Sequence, residues 1–432
     1  MKIGLINHGC AKNLIDSELM LGMLAKEGYE LTLGDDAPII IINTCSFIHD
    51  AEKESVRSIL EMIEQNKKII VTGCLPQKHK EELIDALPEV SAFLGTTDYS
   101  KIVEVVKKLD NSKNIIKEIS PNPYYTYQED IERQQITIGA SSYIKIAEGC
   151  NYKCGYCIIP KLRGVYVSRP INNIVNEAKN LVKKGVSEII LIAQDTTYYG
   201  MDIYQKPSLA KLLDELNQIQ DLNWIRIMYA YPSMMNDELI DSIAKNEKVV
   251  KYVDIPLQHS HPDILKAMQR PAFDYTTLIN KLRDKIPDVT IRSTFIVGYP
   301  TETATHFEHL YNFIEQTKFD RMGVFEYSKE KNTISYSQKP HIKASIKKQR
   351  KKLLMELQQK ISYNINQRFI GQTIPSIVET IDNKGLITAR TYRDAPDIDG
   401  VIYVQTKEFF TPGDIINPKV TKANEYDLFG EI

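Results

Sequence analysis

The chain has 432 residues, 43% hydrophobic and 25% charged, which excludes a fibrous or broadly disordered protein and makes two or three domains the expectation. A formal net charge of -2 excludes a general attraction to polyanions, so contact with nucleic acid would need a local basic patch. No apolar run approaches bilayer length and MKIGLINHG lacks a secretory pattern, so a cytoplasmic protein with no membrane partner is expected; in that compartment six cysteines suit metal binding or catalysis better than disulfides.

From Lys2 to about Val106 short apolar runs (KIGLIN, APIIIIN, KKIIVTG) alternate with helical stretches, the pattern of an open parallel α/β domain over residues 1–115. Residues 116–137 are polar and turn-rich and read as a linker. From Tyr143 the runs YIKIA, EIILIA, WIRIMY, YVDIPL, VTIRSTFIV and FDRMGVFEYS predict six β/α units within residues 138–368. Six units suit a partial β/α barrel with its active site at the carboxyl ends of the strands. One long helix is predicted over 341–368, with Ile346, Leu353, Leu357 and Ile361 as its apolar stripe. Residues 369–432 are β-rich with NKG, DAPDIDG and TPGD turns, which predicts a small antiparallel β-barrel.

Cys150, Cys154 and Cys157 stand as C-x3-C-x2-C directly after the strand YIKIA. Three thiolates leave one iron of a 4Fe-4S cluster open, and that iron can chelate S-adenosylmethionine and deliver an electron to its sulfonium, releasing a 5'-deoxyadenosyl radical. Zinc is the competing occupant, but it prefers four ligands and no histidine adjoins the triplet. Cys10, Cys45 and Cys74 are far apart in sequence, yet each follows a predicted parallel strand, where an open α/β sheet gathers its loops at one crevice. They could hold a second three-thiolate 4Fe-4S cluster; His79 keeps a Cys3His zinc site open, and otherwise belongs on an exposed helix.

Together the triplet, HGCAKNLIDSE, the SR of RGVYVSRP and the terminal barrel resemble the methylthiotransferases of the radical S-adenosylmethionine superfamily across essentially the whole chain. Within that family, GCAKNLIDSE, DIPLQHSHPDILKAMQRP and RTYRDAPDIDG are more similar to the branch that modifies an aspartate of small-subunit ribosomal protein uS12 than to the branch that modifies tRNA. The resemblance implies a radical-generating cluster on Cys150, Cys154 and Cys157, an auxiliary sulfur-delivering cluster on Cys10, Cys45 and Cys74, a central radical barrel and a TRAM-like terminal domain. It also implies two roles for S-adenosylmethionine, as methyl donor and as radical source, and a reducing electron donor. The sequence departs from the family pattern at Ala11, where proline is common, at Thr301, where glycine is common, and at Lys331-Asn332, where Glu-Gly is common.

Gln194 and Asp195 follow EIILIA, Arg292 lies in TIRSTFIVG, and Gly298 ends that run; each is a candidate contact of S-adenosylmethionine, with loop ordering or a plain turn as the alternative. For Gln258, His259 and His261, loop ordering is favoured over catalysis. The run KKQRKK at 347–352 could touch rRNA, although a charged run on a long helix is usually its solvated face. Residues 371–432 carry ten acidic and six basic side chains, an acidic domain suited to a basic ribosomal protein and unsuited to tRNA. A non-enzymatic iron-sulfur or zinc protein is the alternative of another class, against which the three-plus-three thiolate count stands.

Overall fold

The strand Ile39–Thr44, four isoleucines followed by Asn43 and Thr44, is buried at every position, as a strand covered on both faces requires. It lies at the centre of the first sheet in the computed structural model, which describes residues 1–46, 49–109, 112, 114–127, 132–136 and 139–432. The described residues fall into two compact units: one comprises 1–138, 147–152 and 158–167, the other 139–146, 153–157 and 168–432.

In the first unit, strands β1 (Lys2–Asn7), β2 (Glu30–Leu33), β3 (Ile39–Thr44), β4 (Lys68–Gly73), β5 (Ala92–Leu94) and β6 (Ile116–Glu118) form one sheet in the order β2-β1-β3-β4-β5-β6. Every pairing is parallel. Helices α1 (Ala11–Lys26), α2 (His49–Glu64), α3 (Cys74–His79), α4 (Glu81–Ala86) and α5 (Ile102–Lys108) connect them. One apolar cluster, containing Leu21, Ile41 and Val105, covers one face, and another, containing Ile40, Ile59 and Val71, covers the other. The strand order reverses between β1 and β3, and such switch points open a crevice at the carboxyl ends. β2, β5 and β6 escape sequence detection because they are three or four residues long. β6 falls inside the stretch expected to be a linker; positions 128–131 and 137 of that stretch lie outside the described residues.

In the second unit β7 (Ser141–Lys145) begins a further parallel sheet. Of the elements that follow in the chain, β8 (Ala147–Glu148) and helix α6 (Ile159–Arg163) belong to the first unit, and β9 (Val167–Ser168) has one residue in each. The sheet continues through β10 (Glu188–Ile192), β11 (Trp224–Ile227), β12 (Val249–Asp254), β13 (Thr290–Val297) and β14 (Arg321–Glu326), in the spatial order β14-β13-β12-β11-β10-β7. All five pairings are parallel, so the six expected units form an open barrel sheet. Between the strands run α7 (Ile171–Lys183), α8 (Leu209–Asn217), α9 (Asp237–Lys245), α10 (Pro262–Ala267), α11 (Tyr275–Lys285) and α12 (Ala304–Thr317).

The long helix, α13, spans Ala344–Gln367. Its buried row is Arg350, Leu354, Leu357, Ile361 and Ile365, whereas Ile346 and Leu353, expected in the apolar stripe, are each 38% exposed. Ile346 lies in the first turn, and Leu353 is one residue, about 100° of helical rotation, off the buried row.

The last sheet contains β15 (Ser376–Ile381), β16 (Leu386–Thr391), β17 (Ile402–Gln405), β18 (Ile415–Ile416), β19 (Lys419–Ala423) and β20 (Leu428–Glu431) in the order β18-β15-β16-β17-β20-β19. A bridge from Thr373 to Lys419 curls the sheet back on itself around Val378, Ile387, Val404 and Val420. The small antiparallel barrel expected here is present as a curled, mixed sheet: β17 pairs with β20 in parallel inside it, and the other four pairings are antiparallel.

Buried ion pairs fix this sheet to the barrel. Glu188 of β10, fully buried, takes Arg226 of β11 at 2.8 Å and also Arg390 of β16. Arg321 of β14 reaches Asp394 at 2.6 Å, and Arg393 reaches Asp320 at 2.9 Å. The RTYRDAPDIDG segment therefore supplies much of the join.

Candidate iron-sulfur centres

β1, β3 and β4 are neighbours, and the residues just beyond their carboxyl ends carry Cys10, Cys45 and Cys74. Equal register puts Asn7 opposite Asn43, and Thr44 opposite Gly73, so the three loops leave the sheet at one level. Cys10 is exposed and precedes α1, Cys45 is half-buried and Cys74 is buried as the first residue of α3.

The loops are held by polar side chains. Asn13 Nδ2 donates to Asn43 Oδ1 at 3.0 Å and to the Thr44 carbonyl at 2.9 Å, while Asn43 Nδ2 donates to the Asn13 carbonyl at 2.8 Å. Ser55 Oγ accepts the Cys45 N–H at 3.1 Å. Gly73 has φ +98, and a Cβ there would lie 2.5 Å from Asn43 Oδ1 and 2.6 Å from the Thr44 carbonyl, so this entry to Cys74 is open to glycine alone.

Beside these thiols lies a buried arginine that sequence reading does not single out. Arg163 Nη1 donates to Asp16 Oδ2 and Glu148 Oε2, each at 2.9 Å. Its Nη2 donates to Asn13 Oδ1 at 2.5 Å and lies 3.6 Å from Cys74 Sγ. Cys10 Sγ is 3.7 Å from the same Asn13 oxygen. Burial pushes the Cys74 thiol pKa up, and the Arg163 charge opposes that rise. His79, the last residue of α3, contacts Glu52.

The second triplet sits on a loop with little steric latitude. In the first unit, Gly149 has φ +81 and a Cβ would meet the Val165 carbonyl at 2.0 Å; Cys150 N–H then donates to the Gly164 carbonyl at 3.1 Å. In the second unit, Cys157 N–H donates to the Cys154 carbonyl at 3.0 Å, and Gly155 N–H to the Met268 carbonyl at 2.8 Å. A Cβ on Gly155 would lie 2.8 Å from the Tyr299 hydroxyl. Arg270 is buried near Cys154, with its guanidinium 4.4 Å above the Tyr231 ring; burial opposes its charge, and Tyr156, Tyr231 and Cys154 more than offset that.

Of the expected S-adenosylmethionine contacts, Gln194 and Asp195 lie just past β10. Asp195 Oδ1 accepts from the Thr197 N–H at 2.8 Å and the Tyr198 N–H at 3.3 Å. Gly298 has φ +73 and donates to Glu302 Oε2 at 2.9 Å, and the Lys347 side chain fills the space where a Cβ would stand. Arg292 is the third residue of β13, away from its carboxyl end, and pairs with Asp254 at 3.2 Å and Asp399 at 3.4 Å. His259 is buried, with Nδ1 accepting the His261 N–H at 3.0 Å, and burial lowers its pKa; His261 Nδ1 caps α10 at Asp263. Both histidines hydrogen-bond within their own loop.

The family comparisons agree with this architecture. The model of the radical SAM superfamily matches residues 144–314, that of the uncharacterized protein family UPF0004 matches residues 2–95, and that of the TRAM domain matches residues 370–432. A solved radical S-adenosylmethionine methyltransferase, TsrM from Kitasatospora setae, shares the fold with a TM-score of 0.57 at 13% identity, covering 90% of this chain and 80% of that one. Two curated relatives are each named ribosomal protein uS12 methylthiotransferase RimO: that of Thermoanaerobacter sp. is 46% identical over 99% of both chains, and that of Rippkaea orientalis is 46% identical over 99% of this chain and 95% of its own. At that identity over nearly the whole length, the chain belongs to the RimO family of radical SAM methylthiotransferases.

Proposed function

We propose that the protein adds a methylthio group to the β-carbon of an aspartate in ribosomal protein uS12. The observation that carries this is the 46% identity, over 99% of both chains, to a relative named for that activity. The charge of the terminal domain supports it independently: Arg390 and Arg393 are buried in ion pairs with Glu188 and Asp320 and so cannot meet nucleic-acid phosphates, which disfavours a tRNA substrate.

We assign Cys150, Cys154 and Cys157 to a radical-generating 4Fe-4S cluster and Cys10, Cys45 and Cys74 to an auxiliary one. The fit rests on three thiols leaving adjacent parallel strands at one level, with a guanidinium beside the buried one, and on a second cysteine loop whose glycines leave no space for side chains. When bound, these clusters supply reductive cleavage of S-adenosylmethionine to a 5'-deoxyadenosyl radical and the sulfur of the new carbon-sulfur bond. The chain's part is to fix the ligand loops, and to keep donors at the sulfurs. Gln194, Asp195 and Gly298 are the proposed S-adenosylmethionine contacts; Arg292 would have to release Asp254 or Asp399 to join them.

The proposed division is 1–115 for the auxiliary-cluster domain, 116–137 for a linker, 138–368 for the radical SAM domain and 369–432 for the TRAM-like domain; the three family matches lie within its three domains. A reducing electron donor is required by the chemistry. We place the protein in the cytoplasm with the ribosome; among the described residues no helix is long and apolar enough to cross a membrane. Lys348, Lys351 and Lys352 are exposed on α13 and are the proposed rRNA contact, whereas Arg350 of the same run turns inward to Glu302.

The test uses reconstituted enzyme, reductant, S-adenosylmethionine and uS12 deuterated at the aspartate β-carbon. Deuterium should appear in the 5'-deoxyadenosine released; its absence during turnover with this substrate would overturn the assignment.

A further inference from the structure

We infer that Arg163 is a positioning residue of the auxiliary centre, donating from Nη2 to the Cys74 sulfur and setting the reduction potential of the cluster that this sulfur binds. The inference rests on the proposed assignment of Cys10, Cys45 and Cys74.

The division of labour across the guanidinium carries it. Arg163 has a side chain 2% exposed, and a buried arginine beside two carboxylates could be there only to neutralise them. Yet Asp16 and Glu148 are both taken by Nη1, each at 2.9 Å. Nη2 is left for the sulfur side, 3.6 Å from Cys74 Sγ and 2.5 Å from the Asn13 oxygen that also faces Cys10 Sγ. Asp16 and Glu148 place two carboxylates beside an anionic sulfur, and the Arg163 charge offsets them. An N–H donor and a positive charge at a ligand sulfur stabilise the reduced, more negative cluster, which raises its potential.

The same stretch of chain governs the radical loop. Arg163 ends α6, and the next residue, Gly164, accepts the Cys150 N–H at 3.1 Å. Gly164 has φ +77, and a Cβ there would lie 2.0 Å from the Pro123 carbonyl, so the turn that delivers Arg163 to Cys74 also fixes the backbone of Cys150.

The experiment uses the full-length chain in two backgrounds. With Cys150, Cys154 and Cys157 replaced by Ala, only the auxiliary cluster can assemble; with Cys10, Cys45 and Cys74 replaced, only the radical cluster can. In the first background Arg163→Gln should lower the midpoint potential, read by EPR-monitored titration, by the equivalent of at least a tenfold change in the one-electron equilibrium, about 59 mV. Arg163→Lys should lower it less, and Glu148→Gln, which removes a negative charge and keeps the arginine, should raise it. In the second background Arg163→Gln should leave the midpoint unchanged. If Arg163→Gln fails to fold, the opposite signs for Arg163→Lys and Glu148→Gln still decide. An unchanged auxiliary midpoint, or equal shifts in both backgrounds, overturns the inference. Full retention of auxiliary iron by Cys74→Ala would instead overturn the ligand assignment beneath it.

Discussion

Replacing Glu188 by Gln should destabilise the barrel and its attached terminal sheet by about 3 kcal/mol. Glu188 is fully buried and accepts from Arg226 Nε at 2.8 Å, Ser141 Oγ at 2.7 Å and the Arg390 fork. Burial alone would raise its carboxyl pKa; the Arg390 and Arg226 charges more than offset that and hold it down at about 2, against an ordinary 4.5. At about 1.4 kcal/mol for each tenfold change in the proton equilibrium, that difference corresponds to about 3 kcal/mol, in the range for breaking a buried pair from one side. Gln keeps the shape but leaves two buried guanidiniums facing a neutral group. Because the folded pKa is the depressed one, the contribution is complete above about pH 4.5 and disappears as pH falls towards 2. Trp224, the one tryptophan, lies on β11 opposite Glu188, so guanidinium titration of the cluster-free chain followed by its fluorescence reads this region directly. The substitution should lower the midpoint at pH 7 and shrink the gap between the two proteins as the pH drops below 4. A variant within about 1 kcal/mol of the parent at pH 7 would refute the ion-pair account.

Thr301 has φ +74 and Asn332 φ +66, the left-handed region that favours glycine. Thr301→Gly should therefore stabilise by about 0.5–1 kcal/mol, the β-branched strain relieved less the entropy of glycine, with a smaller gain at Asn332→Gly because Asn tolerates this conformation; thermal denaturation checks both. Gly73→Ala should displace Asn43 or Thr44 and cost about 2 kcal/mol or more, with loss of iron from the auxiliary centre measured after reconstitution. Asn236 accepts the Leu239 N–H at 2.9 Å as the N-cap of α9, and Asn236→Ala should cost about 1 kcal/mol in chemical denaturation with no change in iron content. Cys154→Ala should halve the iron bound by the reconstituted protein and abolish 5'-deoxyadenosine formation, measured by chromatography.

Much of this architecture is legible in the sequence because long apolar runs followed by cysteine mark strand ends: the placement of Cys10, Cys45 and Cys74 after β1, β3 and β4 needs only the parallel pattern. What the sequence hides depends on distant pairing. Arg163 lies 147 residues from Asp16 and 89 from Cys74, and nothing in the local stretch RGVYVSRP separates it from an exposed arginine. Arg292 is a candidate cofactor contact from its place beside a strand, and its ion-pair partners, Asp254 and Asp399, which come from another strand and from the terminal domain, are not readable there. The parallel pairing of β17 with β20 is equally invisible, since each strand alone reads as half of a hairpin.

The central claim is the identity of the group modified. Reconstituted enzyme would be incubated anaerobically with reductant and S-adenosylmethionine, in parallel with uS12, with small subunits and with tRNA, and the products read by mass spectrometry. A methylthio increment on a uS12 aspartate is the predicted result; an increment on tRNA alone would contradict it.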